Sequence, residues 1–393
     1  MRVAVTGVTG LVGYHVAREA LDAGHDVVAV CRPGRALPER IRALGSTGPL
    51  STCGTDLGDP HGLARALDGA DALVHCAAVY SYGKDKADEV VRVNVDGTRT
   101  VVEAAAAAGL GRVVVTSSAV TRGSSAEPAT RTEADRLGDE PAPAYYASKV
   151  RQEQVALAEA DRQGLHLVLA LPTIVLGGPF SRLGPSNAIV LRYLLDPTRS
   201  TYPGGCNVVD ARDVGAGHLA LLERGEPGQR YLLGGEDLTW RELHSLVADL
   251  AGLPGPFLEA PSSSAWLASA AAEAWGRVTG TAPLSTTDEA RTVGRYYWYT
   301  SARAEALGYA PRPARTAVAA SLAWLALDES LPRWVREGLR MSPEVRSARP
   351  LIPRPVDCVD EQAAGTGGVP ARAPGSALSP GRSPRRRPPR RPR

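Results

Sequence analysis

The sequence predicts an α/β protein in which a doubly wound parallel sheet is followed by a smaller C-terminal substrate domain. Short apolar runs alternate with amphipathic stretches of helical periodicity across residues 1–170. A glycine-rich turn joins the first apolar run to the first helical stretch. The 393 residues are 44% hydrophobic and 22% charged, which is typical of a soluble globular protein with room for more than one domain.

The strands of the first domain are predicted from buried apolar runs, and most are followed by a helix. The predicted strands cover residues 2–7, 25–32, 71–78, 111–118 and 165–173. The predicted helices cover residues 11–24, 63–70, 94–109 and 145–164, and three of them end at a glycine. Parallel sheets of this kind bind ligands at the carboxyl ends of their strands, so we expect the site at that edge.

The chain changes character after residue 170. A Gly/Pro-rich loop is predicted over 177–187 and a helix over 188–196, and a strand followed by a helix is predicted in both 207–225 and 228–252. We therefore expect a nucleotide-binding domain over 1–170 and a substrate domain mainly over 171–345. The segment near 207–225 is expected to return to the first sheet.

Residues 346–393 are predicted to be a disordered basic tail. Residues 369–393 contain eight arginines and no acidic residue, and they lack residues that could form a core. They also lack aromatic side chains on which bases could stack, so we expect no nucleic-acid partner.

Cysteine usage and hydropathy predict a cytoplasmic protein. The five scattered cysteines form neither a metal-binding spacing nor a disulfide framework, so no metal site is expected; they are Cys31, Cys53, Cys76, Cys206 and Cys358. No apolar run reaches the roughly 18 residues that a membrane span needs. The opening residues lack the regions of a signal peptide.

The sequence TGVTGLVG predicts a dinucleotide site in a Rossmann-type fold. Gly7 allows a tight turn, Gly10 lets a pyrophosphate approach the backbone at a helix N-terminus, and Gly13 permits close helix–strand packing. The turn lies between a predicted strand and a predicted helix, which is the context that this motif requires. The further expected cofactor contacts are Thr9, Leu11, Val12, Asp56, Leu57, Ala77, Ala78, Thr116, Tyr145, Lys149, Pro172, Thr173 and Ile174.

The end of the second strand favours NADP, with NAD still possible. An acidic residue there would bind the ribose hydroxyls of NAD. This chain instead has Cys31 followed by Arg32 and Arg35. Guanidinium groups at this place suit the 2′-phosphate of NADP.

The stretch PAYYASK predicts an acid/base centre. Tyr145 lies four residues before Lys149 and Tyr146 three before it, so helical spacing alone allows either tyrosine. Ser117 and Ser118 end a predicted strand at the edge where ligands bind. A lysine ammonium near a phenol is expected to lower the pKa of that phenol.

The order of TGxxGxxG, NVDGT, TSS, YxxxK, LPTIVLGGPF and DARDV resembles the extended short-chain dehydrogenase/reductase family, also called NAD-dependent epimerases/dehydratases. The resemblance extends from residue 1 to about 330. It implies that Tyr145 is the acid/base, that Ser118 is its hydroxyl partner, and that Lys149 holds the nicotinamide ribose. It also implies that Asn94 supports the site and that the protein is a homodimer through two helices, one carrying Tyr145.

Three functions remain open at this point. The stretch PTIVLGGPF resembles dihydroflavonol 4-reductases, which implies NADPH-dependent reduction of a ketone or aldehyde to an alcohol. Residues 207–243 and 301–313 resemble nucleotide-sugar epimerases, although many of those carry asparagine where this chain has Thr173. A non-catalytic NADP-binding regulator usually lacks the tyrosine or the lysine. A 4,6-dehydratase is rejected because Ala119 and Val120 stand where its acid pair is expected.

The substrate is expected to be a small carbonyl compound or a sugar. The loops 80–92, 119–143 and 178–206 should enclose it. The expected contacts are Tyr80, Tyr82, Ser118 and Asn187.

Overall fold

The computed structural model describes residues 1–34, 39–80, 87–138, 143–179, 183–280 and 285–348. The predicted cofactor residue Arg35 and the predicted substrate residue Tyr82 lie outside these ranges, as do residues 349–393 of the predicted tail.

A seven-stranded parallel sheet organises the first part of the chain. Its strands in spatial order are β3 (Leu50–Gly54), β2 (Asp26–Cys31), β1 (Arg2–Thr6), β4 (Ala72–His75), β5 (Arg112–Thr116), β7 (Leu167–Pro172) and β11 (Arg230–Leu233). The order reverses between β1 and β4, which creates the crevice where such sheets bind ligands. The predicted doubly wound sheet is confirmed.

Helices cover both faces of this sheet. They are α1 (Leu11–Asp22), α2 (Glu39–Leu44), α3 (Pro60–Leu67), α4 (Ala87–Val91), α5 (Gly97–Ala107), α6 (Ala144–Gln163) and α8 (Ala211–Arg224). Side chains alternate between the faces along each strand, so Val3 and Val5 pack in one core cluster and Ala4 in another. A π-helical segment, Arg92–Asp96, joins α4 to α5, so the predicted helix 94–109 begins irregularly.

A second, smaller sheet carries the rest of the chain. It contains β12 (Glu236–Thr239), β10 (Gly205–Asp210), β14 (Tyr296–Tyr299) and β6 (Thr130–Arg131), and β8 (Ile174–Leu176) also pairs with β10. A separate pair is formed by β9 (Ser200–Thr201) and β13 (Leu258–Glu259).

The described ranges contain eight further helices; the one at Ala302–Glu305 packs against β11 of the first sheet, and most of the others accompany the smaller sheet. The eight helices are α7 (Pro185–Leu195), α9 (Trp240–Ala251), α10 (Ser262–Thr279), α11 (Thr287–Ala290), α12 (Ala302–Glu305), α13 (Ala314–Leu325), α14 (Arg333–Gly338) and α15 (Pro343–Ala348). Several of them enclose a core around the fully buried Trp324. None of the helices in the described ranges is both long and apolar enough to cross a membrane.

Three boundaries differ from the sequence prediction. The strand of segment 207–225, β10, pairs in the second sheet, while β11 joins the first. The helix of segment 207–225, α8, does return to the first sheet, where it packs against α1. Gly215 allows this close approach, because an added Cβ would lie 2.8 Å from the carbonyl carbon of His15. The helix α7 begins at Pro185, inside the predicted loop, and α15 continues past residue 346 to Ala348.

Candidate active site

The turn between β1 and α1 has the shape that a bound pyrophosphate requires. Gly7 has φ +70°, and a Cβ added there would lie 2.6 Å from the backbone nitrogen of Ala77. A Cβ on Gly13 would lie 2.3 Å from the Gly7 carbonyl oxygen. The exposed Gly10 begins α1 without a side-chain cap, so backbone N–H groups of the first turn are available to an anion. These residues fit a dinucleotide.

The other predicted cofactor residues lie around the same edge of the sheet. Thr9, Leu11 and Val12 belong to the turn and the start of α1, and Ala78 follows β4. Asp56 follows β3 and accepts a hydrogen bond from Gly58 N at 2.9 Å. The remaining members follow or end neighbouring strands; they are Leu57, Ala77, Thr116, Pro172, Thr173 and Ile174.

The adenosine end of this edge carries two arginines in the described residues. Arg32 follows β2 and is exposed. Arg40, on α2, is buried, and its Nη2 donates a hydrogen bond to the carbonyl oxygen of Thr9 at 2.8 Å. Arg40 was not singled out from the sequence, although its position shortly after Arg32 and Arg35 in the chain could have drawn attention to it. The side chain of Arg40 fixes the glycine turn to α2.

The structure brings Ser118, Tyr145 and Lys149 together. Tyr145 lies in the first turn of α6, Lys149 one turn later, and Ser118 just beyond β5. Ser118 and the Tyr145 phenol share a hydrogen bond. Lys149 Nζ lies 5.9 Å from the centre of the Tyr145 ring. Tyr146 packs edge-on against Tyr145 with ring centres 6.3 Å apart, so it forms part of the wall.

The expected lowering of the Tyr145 pKa by Lys149 is not found. Burial raises the pKa of Tyr145 above its ordinary value, Tyr80 raises it further, and only the hydrogen bond with Ser118 lowers it. The Lys149 ammonium is held by Gln152 Oε1, to which Nζ donates at 2.8 Å, and by the Thr116 carbonyl at 3.2 Å. Tyr145 is therefore a protonated phenol at neutral pH.

A buried polar chain extends from Lys149 to the opposite side of the sheet edge. Gln152 Nε2 donates to Thr98 Oγ1 at 2.9 Å, and the His75 ring lies 3.1 Å from the same oxygen. The other ring nitrogen of His75 lies 2.7 Å from Thr6 Oγ1, at the end of β1. Burial lowers the pKa of Lys149 to about 8 and that of His75 to about 3, so the histidine is neutral.

A buried carboxylate fixes the loop that carries Ser118. Glu153 Oε1 accepts hydrogen bonds from Ser117 Oγ and Thr121 Oγ1, both at 2.7 Å. Its Oε2 pairs with Arg122 at 2.9 Å and with Arg230 at 2.8 Å. Glu153 lies one turn after Lys149 on α6, and its charge raises the lysine pKa against the larger effect of burial. One carboxylate thus holds β5, α6 and β11 together.

Asn94 supports the other side of the site. Its Oδ1 accepts from Val79 N at 2.8 Å, and its Nδ2 donates to the Val79 carbonyl at 3.0 Å. Asn94 is fully buried in the π-helical segment. It therefore fixes the chain that leads from β4 to Tyr80, whose ring centre lies 4.7 Å from that of Tyr145.

A mainly apolar cavity of about 400 Å³ opens beside the catalytic candidates. Ser118, Tyr80 and Tyr146 line one part of it, and Pro172, Thr173 and Ile174 another. The Thr173 hydroxyl is buried without a hydrogen-bond partner in the described part of the chain. The second sheet and its helices supply most of the remaining wall, including Tyr193, Tyr202, Asn207, Trp240, His244, Tyr297 and Tyr299.

The predicted substrate residue Asn187 is not in this wall. It is buried in α7, where its Oδ1 accepts from Ser321 Oγ at 2.6 Å and lies 3.4 Å from Gly177 N. Asn187 therefore fixes the turn after β8 against α13. The loop predicted over 177–187 also ends earlier in the structure, because Pro185 already begins the helix.

Sequence reasoning also missed most of the cavity wall. The residues that form it come from α7, β10, α9, α10 and β14, which are remote from one another along the chain. One signal was available in α10, where Ala265, Ala268 and Ala272 line the cavity at helical spacing while Trp266 and Trp275 are exposed.

Comparisons with known proteins agree with this geometry. The model of the NAD dependent epimerase/dehydratase family matches residues 3–234. A putative dihydroflavonol 4-reductase from Synechocystis is 30% identical over 334 residues, which cover 81% of this chain and 93% of that protein. Cinnamoyl-CoA reductase 1 from Oryza sativa is 33% identical over 259 residues, or 63% of this chain and 75% of that protein. The crystal structure of a nucleoside-diphosphate-sugar epimerase from Pseudomonas aeruginosa has a TM-score of 0.64 and 25% identity, covering 83% of this chain and 97% of that one.

Proposed function

This chain belongs to the NAD-dependent epimerase/dehydratase family of extended short-chain dehydrogenases/reductases, and we propose that it reduces a ketone or aldehyde to an alcohol with NADPH. One observation carries the proposal: Ser118, Tyr145 and Lys149 meet at the carboxyl edge of the sheet, beside a mainly apolar cavity. The similarity to proteins named as reductases supports the same reaction.

The glycine turn would hold the pyrophosphate of the cofactor, and Lys149 would hold its nicotinamide ribose. The exposed Arg32 would contact the 2′-phosphate, which is why we propose NADPH rather than NADH. When bound, the nicotinamide supplies the hydride.

The residues of this chain would supply the proton that the substrate oxygen takes up during reduction. The protonated Tyr145 phenol donates its proton to the substrate oxygen as negative charge develops there. Ser118, which shares a hydrogen bond with this phenol in the structure, would turn its hydroxyl proton to the same substrate oxygen and donate a second hydrogen bond there. Lys149 does not lower the pKa of Tyr145 in the resting structure, but its ammonium would stabilise the phenolate that remains once cofactor and substrate exclude water from the site. Burial raises the pKa of Tyr145, so the phenol is protonated at neutral pH, as a proton donor must be.

A nucleotide-sugar epimerase is the second candidate, supported by the similarity to the Pseudomonas structure. The charges of the cavity argue against it. Among the described residues the wall carries one arginine, Arg192, and two carboxylates, Asp196 and Glu289. Arg192 is paired with Glu289 at 3.0 Å, so it is not free to bind a phosphate. A nucleoside diphosphate would therefore meet a negative lining, whereas an uncharged carbonyl compound would not.

A non-catalytic NADP-binding regulator is the third candidate. Such a protein has no need to orient a lysine, yet Lys149 is held here by two hydrogen bonds at the end of a buried polar chain. We therefore place this candidate behind both enzymes.

The Tyr145→Phe variant tests the reaction. We expect a loss of NADPH-dependent turnover of about 10³-fold or more against a panel of ketones and aldehydes, with NADPH affinity retained. Tyr146→Phe is the matched control and should keep most of its activity, because its ring packs in the wall. Turnover that survives in Tyr145→Phe would refute the assignment, and activity confined to nucleotide sugars would favour the epimerase.

The cofactor proposal has its own test. Titration of NADPH and NADH against wild type and Arg32→Ala should give a wild-type preference for NADPH that the variant loses. A wild-type preference for NADH would refute the role of Arg32.

We also propose that the protein forms a homodimer through helices of the nucleotide-binding domain, one of them α6, as the family resemblance implies. Light scattering during size-exclusion chromatography tests this, and a monomeric mass at micromolar concentration would contradict it.

A further inference from the structure

Four aromatic side chains form a compact cluster in the part of the cavity wall that α7, β9 and α9 contribute. This aromatic box consists of Tyr193, Tyr202, Trp240 and His244. The ring of His244 is its centre: it stacks on Tyr193 with ring centres 4.7 Å apart and planes 13° apart. Tyr202 and Trp240 lie 6.4 and 6.2 Å from the same ring.

None of the box residues belongs to the seven-stranded sheet or to its helices. The reacting carbonyl is expected beside Ser118 and Tyr145, which that sheet and α6 position. The box is therefore contributed by a different structural unit, and it would contact a part of the substrate other than the carbonyl that is reduced.

The box is electrically neutral. Burial lowers the pKa of His244 to about 4, so its imidazole carries no charge near neutral pH. The Tyr193 ring already contacts a cation of the protein itself, because the guanidinium of Arg199 lies 5.5 Å from its ring centre. That ring is therefore less able to attract a substrate cation. An uncharged ring therefore suits these four side chains better than a cation. The nearby Asp196 carboxylate, which accepts hydrogen bonds from Thr198 and Ser200, would favour a cation instead, so a cationic probe is included in the binding test.

One polar group of the box lacks a partner. Tyr193 donates its hydroxyl proton to the Pro254 carbonyl at 3.2 Å, and the Nδ1 of His244 lies 3.0 Å from Thr201 Oγ1. The indole Nε1 of Trp240, by contrast, is buried with no hydrogen-bond partner among the described residues. A buried donor left unpaired destabilises the protein, and a ligand acceptor that pairs with it would recover this loss.

We propose that the aromatic box is a substrate subsite that binds a flat, uncharged ring bearing a hydrogen-bond acceptor, with the Trp240 indole N–H as its donor. This subsite would define the substrate class of the proposed reductase. It rests on the proposed function only in that the bound ligand is taken to be the carbonyl substrate. A substrate that reaches the box while its carbonyl reacts must extend beyond the carbonyl group and its immediate substituents.

Binding of matched aryl ketones tests the proposal. The probes are 2-acetylnaphthalene and 4-acetylbiphenyl, each with and without a methoxy group at the far end of its ring system. Calorimetry is done with full-length Tyr145→Phe protein and saturating NADPH, so that binding is read without turnover. We expect at least one methoxy compound to bind about 5-fold or more tightly than its parent, and Trp240→Phe to abolish this difference.

Trp266→Phe is the matched control, because Trp266 is half exposed on α10 and outside the cavity wall; it should leave the methoxy preference unchanged. The proposal is overturned if neither methoxy compound is preferred, if the preference survives in Trp240→Phe, or if no ketone of the four binds. Tighter binding of (4-acetylphenyl)trimethylammonium than of the neutral ketones would also overturn it in favour of a cation site.

These outcomes are separable from those of the proposed function. A methoxy preference that depends on Trp240, combined with no reduction of any ketone by the wild type, would refute the reductase and keep the subsite.

Discussion

Lys149 and Gln152 are joined by a 2.8 Å hydrogen bond on the buried face of α6, with the ammonium donating to the amide oxygen. Gln152 in turn donates to Thr98, so the lysine is the end of a chain of buried polar groups that crosses from α6 to α5. The position of the ammonium is thus fixed by side chains that touch neither the substrate nor the phenol of Tyr145.

Replacing Gln152 with leucine should displace Lys149. We expect kcat for ketone reduction to fall by about 10- to 100-fold, because misplacement of a catalytic group by about 1 Å has effects of this size. Steady-state kinetics measure it, and Gln163→Leu, on the exposed end of the same helix, is the control. Unchanged kcat in a folded Gln152→Leu protein would mean that Lys149 needs no such support.

The rate of reduction should fall as the pH rises through about 8. Burial lowers the pKa of Lys149 to about 8, so above this pH the lysine loses the charge that stabilises the Tyr145 phenolate. In Glu153→Gln the fall should begin at lower pH, because the carboxylate charge that raises the lysine pKa is removed. The pH profile of kcat/KM measures both. Glu159→Gln, on the same helix, should leave the midpoint unchanged, and an alkaline shift in Glu153→Gln would contradict the prediction.

Glu153→Gln should also reduce stability. The change leaves the buried Arg122 and the half-buried Arg230 without their carboxylate, and breaking a buried ion pair in this way costs about 3–5 kcal/mol of unfolding free energy. Urea unfolding followed by tryptophan fluorescence measures the loss. The control variant Glu159→Gln should lose about 1 kcal/mol or less of unfolding free energy, because the partner of Glu159, Arg162, is exposed. Equal losses in the two variants would show that the Glu153 cluster contributes little.

Gly13→Ala should disrupt the cofactor turn. The new methyl group would lie 2.3 Å from the Gly7 carbonyl oxygen, so the turn must shift, at a cost of about 1–3 kcal/mol. We expect the Kd for NADPH to rise by about 10-fold or more, measured by fluorescence titration. Gly255→Ala, where an added Cβ meets no atom within 4 Å, should change neither stability nor affinity. Wild-type affinity in Gly13→Ala would show that the turn adapts.

The sequence predicted the first domain well because its signals are local and strong. The apolar runs of β1, β4, β5 and β7 and the periodic helices α1 and α6 were located to within a few residues. The fold class, the family and an NAD(P)-dependent oxidoreductase of that family are confirmed by the parallel sheet and by the comparisons.

The second sheet was poorly predicted because its strands are short. The strands β6 and β8 have two and three residues, too few for an alternating pattern to be recognised. The strand β14 has only four residues, YYWY, in a part of the chain for which no strand was predicted. The aromatic box could not be predicted at all, because no spacing along the chain relates Tyr193 to Trp240; only tertiary packing brings their rings onto His244.

The neighbouring hydroxyls of Ser117 and Ser118 point into two different environments, one toward Glu153 and the other toward Tyr145. The chain is extended here, with φ −160° and ψ 145° at Ser118, so successive side chains alternate in direction. A deletion or insertion of one residue in β5 would therefore exchange the two hydroxyls between the interior and the active site. Insertions and deletions engineered into this domain belong in the surface turn at residues 45–49, where a change of length leaves β5 intact.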